Sequence, residues 1–383
     1  VASISAADAR ALRMRAQGLA RPSDADATAV VGRMLAVQAQ EYVPAQFGLA
    51  QRIDPAVRPA LSEVSAVIDD GRLLRTHLLR PTWHFVLPED ADWLTELSIG
   101  RIRAAMRQNL RVLGVEPTDL ARSLDLVAAC VAPGGPHRTR DEIGAAIDAD
   151  GPNPFRAGMG MVTLLLLAEL ERLVISGASL GAQRTYAAWN DRVPPTPGLD
   201  RPEALARVAA RYLPARGPAS RRDLAAWASL TLRDADAGLA AAVDAGLAEA
   251  VDIDGEPHFV APGALDAPPA AIPSPVLVQA YDETIMGYGA PRALLAPERP
   301  HRFADFPLHW LLVDGRLAGK WSLTLAPREA QVRLVEVPVG RRGLPTRLQP
   351  VLDELSTFLE RPVVLEFEPD AAGAVRRNRP GAR

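Results

Sequence analysis

The chain of 383 residues has a single cysteine, Cys130, which excludes an intrachain disulfide and a cysteine-based metal cluster. Its six histidines are mostly scattered singly and give no metal-ligand spacing, so no metal or other cofactor is expected. A Gly-x-Ser-x-Gly elbow and a Ser-His-Asp order of hydrolase type are missing, which leaves little support for a small-molecule hydrolase. Long apolar runs are missing too. The longest clear one, Met161 to Ala168, falls well short of the roughly 20 residues of a membrane span. Val1 to Arg15 has no apolar core of signal-peptide type, so a cytoplasmic protein without a membrane partner is expected. Lysine is reduced to Lys320 alone, a bias that fits a GC-rich genome better than selection for function. A net charge of −3 argues against a uniformly basic nucleic-acid binder, so the placement of the arginines matters more than their number.

With 48% hydrophobic and 23% charged residues the composition is that of an ordinary globular protein, long enough for two or three domains. Residues 3–17 and 23–40 read as helices, the second opened by Ser23 or Asp24, and a third is expected within 57–70. Strands broken at Arg80-Pro81 follow within 71–88, and three helices followed by a hairpin describe a winged helix. The pattern returns twice. Helices at 119–131 and 202–213 precede short helices N-capped by Thr139 and Ser220; longer helices at 159–172 and 234–246 then lead into strand pairs. After Pro275 the texture changes to short apolar strands, with a hairpin at Asp314-Gly315 and a helix around 346–360. The expected fold class is therefore α+β: three tandem winged helices (1–115, 116–195 and 200–265), a small β-barrel-like domain (275–370), and a disordered tail (371–383).

One residue breaks the hydrophobic pattern. In Met34-Leu-Ala-Val-Gln-Ala-Gln-Glu-Tyr-Val-Pro44, continued helical phase puts Gln38 on the inward face with Val30, Val31 and Met34. A buried carboxamide without partners costs about 1–3 kcal/mol, so Gln38 calls for a partner in protein, water or ligand. Gln40 lies about 160° further round, and Pro44 is expected to end the helix close to it. Either Gln38 is a satisfied structural amide, or the pair has a function. Arg103, Arg107 and Arg111 form a stripe at i, i+4, i+8, readable as a solvated face or as a phosphate contact. Asp282-Glu283 is a weak candidate for paired acid-base work, because adjacent side chains diverge.

Several segments, in order, resemble one family: the bacterial AlkZ-like winged-helix DNA glycosylases, associated with azinomycin resistance and unhooking of interstrand crosslinks. They are Gln38-Ala39-Gln40, Arg80-Pro-Thr-Trp-His-Phe-Val-Leu-Pro-Glu-Asp90, Tyr281-Asp-Glu-Thr-Ile-Met-Gly-Tyr288 and Val313-Asp-Gly-Arg-Leu-Ala-Gly-Lys-Trp321. The chain departs from the family at Gly289-Ala-Pro-Arg292, where relatives often carry Asp-Arg, and at Ala39, which is small for its position. The resemblance implies a monofunctional enzyme that hydrolyses the N-glycosidic bond of N7-alkylated purines, crosslinks included, with water as nucleophile. It also implies Gln38 and Gln40 as catalytic residues, and double-stranded DNA as partner. Arg103, Arg107, Arg111, Arg341, Arg342 and His84 become candidate DNA contacts, with His84 alternatively a structural residue of the wing. A clamp of this kind can act as a monomer. The competing reading is a non-catalytic winged-helix DNA-binding protein.

Overall fold

The computed structural model describes residues 1–266, 271–289, 292–295, 308–335 and 343–367. They fall into two units, one from Val1–Ala271 and Tyr281–Pro291, the other from Ile272–Ala280 and Arg292–Arg383. The class is α+β, with four separate sheets among the described residues.

In the first unit each small sheet is accompanied by helices. The first sheet joins Ala36–Gln38, Thr82–Val86 and Leu74–Leu78, with Thr82–Val86 in the centre and both pairings antiparallel. Arg138–Thr139, Thr185–Ala188 and Val174–Ser176 build the second. In the third, Glu249–Ile253 pairs antiparallel with Glu256–Val260 and parallel with Ala2–Ile4. The caps expected from sequence are present: Thr139 and Ser220 each form a capping box with an acidic residue three positions on, Glu142 and Asp223. The helix Arg201–Arg216 lies in the main core through Leu205, Val208, Tyr212 and Leu213. Its neighbour Leu232–Asp244 comes close because Gly238 has no side chain; a Cβ there would stand 2.5 Å from the Leu205 carbonyl oxygen.

The expected helix over 23–40 is corrected. It is capped by Asp26, which accepts from the Ala29 amide at 2.8 Å, and it spans only Ala27–Met34. Leu35 then adopts a φ of +67°, a left-handed conformation that interrupts the helix, and Ala36–Gln38 runs on as a strand. Pro44, expected to end a helix, lies in the first turn of the next one, Tyr42–Ala50, where an amide hydrogen has no intrahelical acceptor and proline costs little.

The second unit carries a five-stranded sheet in the order Val276–Val278, His309–Val313, Arg316–Leu325, Ala330–Val335, Val363–Phe367. Asp314 and Gly315, both at positive φ, make the tight hairpin turn that their sequence predicts. The barrel expectation is corrected: the sheet is open. Its last strand pairs parallel with Ala330–Val335, reached through the helix Leu344–Leu359, and no pairing closes it onto Val276–Val278 among the described residues.

His309 is buried against Trp321, with ring centroids 4.4 Å apart, and its Nδ1 accepts from the Ala280 amide at 3.1 Å. Burial pushes its pKa down to about 4. The unfolded chain takes up this proton near pH 6.5, so the stabilisation is complete above that pH and is lost as the pH falls towards 4. Denaturant titrations of the wild type between pH 7 and pH 4 are expected to show this loss, with a flatter profile for His309→Gln. An unchanged slope in the variant would remove His309 as the cause.

Candidate active site

Gln38 ends its strand opposite His84 and is fully buried. The inward direction expected from helical phase is correct, although a strand produces it. Its side-chain oxygen accepts from Arg80 Nη2 at 2.6 Å. Arg80 sits in the turn between Leu74–Leu78 and Thr82–Val86, where Leu79 takes a φ of +61°. Its Nη1 donates to the carbonyls of Trp227 at 2.9 Å and Met286 at 3.3 Å, so one guanidinium fixes the Gln38 amide against two distant segments. Burial lowers the Arg80 pKa, an effect opposed by Glu283.

His84 is also fully buried. Burial, reinforced by Arg80, holds its pKa well below the usual histidine range, so the ring is neutral. Nδ1 lies 2.8 Å from the Thr82 carbonyl and therefore carries the proton, leaving the Nε2 lone pair 3.5 Å from Arg80 Nη2. His84, a candidate DNA contact or a structural residue of the wing, has no exposed surface, and its neighbours are Arg80 and the Gln38 strand.

The strand itself is held by charge. The Gln38 amide donates to Glu283 Oε1 at 2.9 Å. Glu283 Oε2 accepts from Arg216 Nε at 3.0 Å, Arg216 Nη2 at 2.7 Å and Trp227 Nε1 at 3.0 Å, with both charged residues fully buried. Arg216 then donates to the carbonyls of Met34 and Ala36, each at 2.8 Å, on either side of the break at Leu35. Asp282 turns the other way, onto Arg52 at 2.9 and 3.1 Å, and caps the short helix Glu283–Met286. The two adjacent carboxylates thus diverge, as their spacing implies. Gly287 makes the approach to Arg216 feasible; a Cβ would lie 3.2 Å from Arg216 Nε and 2.4 Å from the Glu283 carbonyl oxygen.

Gln40 stands apart from this cluster. It is exposed, and its Oε1 accepts from the Trp83 amide at 3.3 Å. The backbone between the two glutamines is fixed: the Ala39 amide donates to the Trp83 carbonyl at 2.7 Å, while Arg75 donates to the carbonyls of Ala39 at 3.0 Å and Gln40 at 3.4 Å. The structure therefore joins Gln38 to Arg80 and His84 below the surface and leaves Gln40 at the surface. This site is a rigid platform ending in one accessible carboxamide.

Arg103, Arg107 and Arg111 are exposed on the helix Pro88–Leu113, and Arg103 is paired with Glu171 at 2.5 Å. Arg341 and Arg342, like the tail from 371 to 383, lie outside the described residues. Nearby, Arg347 donates to Ser274 Oγ at 2.7 Å. Sequence reasoning missed Arg216 and the anchoring roles of Arg80 and Glu283, although the latter two stand in segments that it had marked.

A family model described as DNA glycosylase AlkZ-like matches residues 31–361, nearly the whole chain and every element of this site. The chain belongs to the AlkZ-like DNA glycosylase family. This AlkZ-like chain is 27% identical over 335 residues to an interstrand DNA cross-link repair glycosylase of Streptomyces sahachiroi, covering 82% of its own length and 86% of the relative's. Its fold is similar to the solved structure of Streptomyces sahachiroi DNA glycosylase AlkZ, with a TM-score of 0.73 and 23% identity over 95% of this chain and 100% of the other. Like the family resemblance drawn from motifs, the family model runs through the Gln38-Ala39-Gln40 segment and the Tyr281–Tyr288 segment that clamps it. No helix among the described residues of the AlkZ-like chain is long and apolar enough to cross a membrane.

Proposed function

We propose that this protein hydrolyses the N-glycosidic bond of N7-alkylated purines in double-stranded DNA, bulky adducts and interstrand crosslinks included. The exposed carboxamide of Gln40, at the end of a backbone locked by buried charge, carries this reading. The relative from Streptomyces sahachiroi, named as an interstrand DNA cross-link repair glycosylase, supports the substrate class.

Alkylation at N7 makes the purine cationic, so it departs without prior protonation and the enzyme needs no general acid. What is left is to hold a water against C1′ and to offer dipoles to the developing oxocarbenium charge. A carboxamide both accepts and donates, which suits orienting a water that need not be deprotonated beforehand. In this proposal Gln40 meets the substrate, and Gln38 acts from beneath it by keeping the strand end and Arg80 in place. The reaction is monofunctional, with water as nucleophile. Three tandem winged helices, with boundaries near 115, 195 and 265, would grip the duplex as a monomer in the cytoplasm. Arg103, Arg107, Arg111, Arg341 and Arg342 would contact its backbone.

The test is single-turnover base release from duplexes carrying N7-methylguanine or an N7-guanine interstrand crosslink. Gln40→Ala is expected to slow release at least tenfold, about 1.4 kcal/mol of transition-state stabilisation, while binding DNA as wild type does. Wild-type protein that binds both duplexes and frees no base from either would leave a non-catalytic DNA-binding protein as the reading.

A further inference from the structure

Beside Gln40 lies a second cluster that the glycosidic chemistry does not use. Arg75 Nε and Nη2 hold the carbonyls of Ala39 and Gln40, and its guanidinium lies 4.2 Å from the Trp83 ring centroid and 5.5 Å from that of Tyr42. Arg184, on the approach to the strand Thr185–Ala188, stacks over Tyr42 at 3.6 Å and donates through Nη1 to Ser179 Oγ at 2.6 Å. Tyr42 thus lies within cation–π reach of two arginines, one in the strand Leu74–Leu78 and one just before the strand Thr185–Ala188. Neither arginine has a carboxylate within 4 Å among the described residues. Glu169, which acts on Arg75 through space, is already engaged by Thr76 Oγ1 at 2.9 Å and by the His77 amide and Nδ1, each at 2.8 Å. Burial lowers the Arg75 pKa to about 10; Tyr186, Glu169 and Tyr42 oppose the shift, and Arg184 adds a smaller contribution in the same direction as burial.

These side chains line a recess of about 30 Å³ together with Trp83 and Tyr186. That volume admits a water or a single anionic oxygen and is far too small for a purine. Two cations held against aromatic faces, beside a recess sized for one oxygen, suit a phosphate group.

We propose that Arg75 and Arg184 form a phosphodiester-binding subsite that sets the register of the DNA strand at Gln40. Arg75 binds the motif's own carbonyls, so a phosphate held there is within one side chain of Gln40. The subsite would index the damaged strand by its backbone, which is unaffected by the size of the adduct. This inference rests on the proposed action on duplex DNA.

Arg184→Ala tests it, because the side chain is exposed and its loss leaves the Arg75 anchorage in place. Duplex affinity is expected to fall roughly fivefold at low salt, with the slope of log K against log salt smaller by about 0.9, one phosphate contact. A scan of single methylphosphonates should reveal one linkage whose neutralisation weakens the wild type but not Arg184→Ala. An unchanged salt slope, or equal sensitivity of the two proteins at every linkage, overturns the proposal. So does inorganic phosphate at constant ionic strength, if it occupies the wild-type recess without displacing DNA, since the recess would then serve a free anion. Base release measured on the same samples separates the two readings. Altered binding with no release by wild type removes the glycosylase and keeps the subsite; normal release with unaltered Arg184→Ala binding does the reverse.

Discussion

Glu283→Ala should destabilise the first unit by about 3–5 kcal/mol, the cost of leaving one partner of a buried ion pair uncompensated. The carboxylate receives four hydrogen bonds, from the Gln38 amide, twice from Arg216, and from Trp227. Its removal strands a guanidinium with no exposed surface in the core. Arg216 keeps only the carbonyls of Met34 and Ala36 as hydrogen-bond acceptors, which leave its Nε hydrogen unpaired and do not neutralise its charge. The double variant Glu283→Leu with Arg216→Met should recover much of the loss, because a buried pair replaced by apolar groups of similar volume is often close to neutral. Urea midpoints for the two single variants and the double variant check this. Singles within about 1 kcal/mol of wild type would mean that water reaches the pair and that the strand is not held by buried charge.

Arg80→Ala is expected to slow base release by roughly 10- to 150-fold, corresponding to one charge-assisted hydrogen bond worth about 1.5–3 kcal/mol. DNA affinity should stay within about twofold of wild type, since the guanidinium faces inward and donates to Gln38, Trp227 and Met286. Arg80→Lys should restore little: one ammonium cannot reproduce a planar fork that reaches three acceptors in different segments. The split between rate and affinity identifies Arg80 as a positioning residue acting through Gln38. A loss confined to affinity, with single-turnover release unchanged at saturation, would make it a DNA contact instead.

These two predictions concern residues of unequal legibility in the sequence. Local signals were strong wherever the chemistry is local: the caps at Thr139 and Ser220, the Asp314-Gly315 turn and the strands either side of Arg80-Pro81 stand where their side chains dictate. Gln38 was legible as a buried amide, yet the element carrying it was not. The apolar phase of Val30, Val31 and Met34 continues smoothly through Leu35, and nothing in Leu35 announces a positive φ. The break is imposed from outside, by Arg216 binding the carbonyls on both sides of it, 182 and 180 residues along the chain. Arg80 and Glu283 approach the strand from 42 and 245 residues away. Periodicity reports only on neighbours in sequence, so it marked their segments without assigning their roles. The barrel failed for a related reason, because runs of apolar residues specify strands but not which edges meet.

The excursion of Tyr281–Gly289 into the first unit, between two segments of the second, has a bearing on synthesis. A chain emerging from the ribosome presents Gln38 well before Asp282 and Glu283, the latter 245 residues further on. Until then Arg52 and Arg216 have no anionic partners and the strand at Gln38 has no acceptor for its amide. A nascent or truncated chain ending before this segment therefore cannot hold the site in its working form. Closure of the platform is tied to a segment translated 245 residues after Gln38, so an unfinished product can contain the whole glutamine motif without the buried charge that holds it in place.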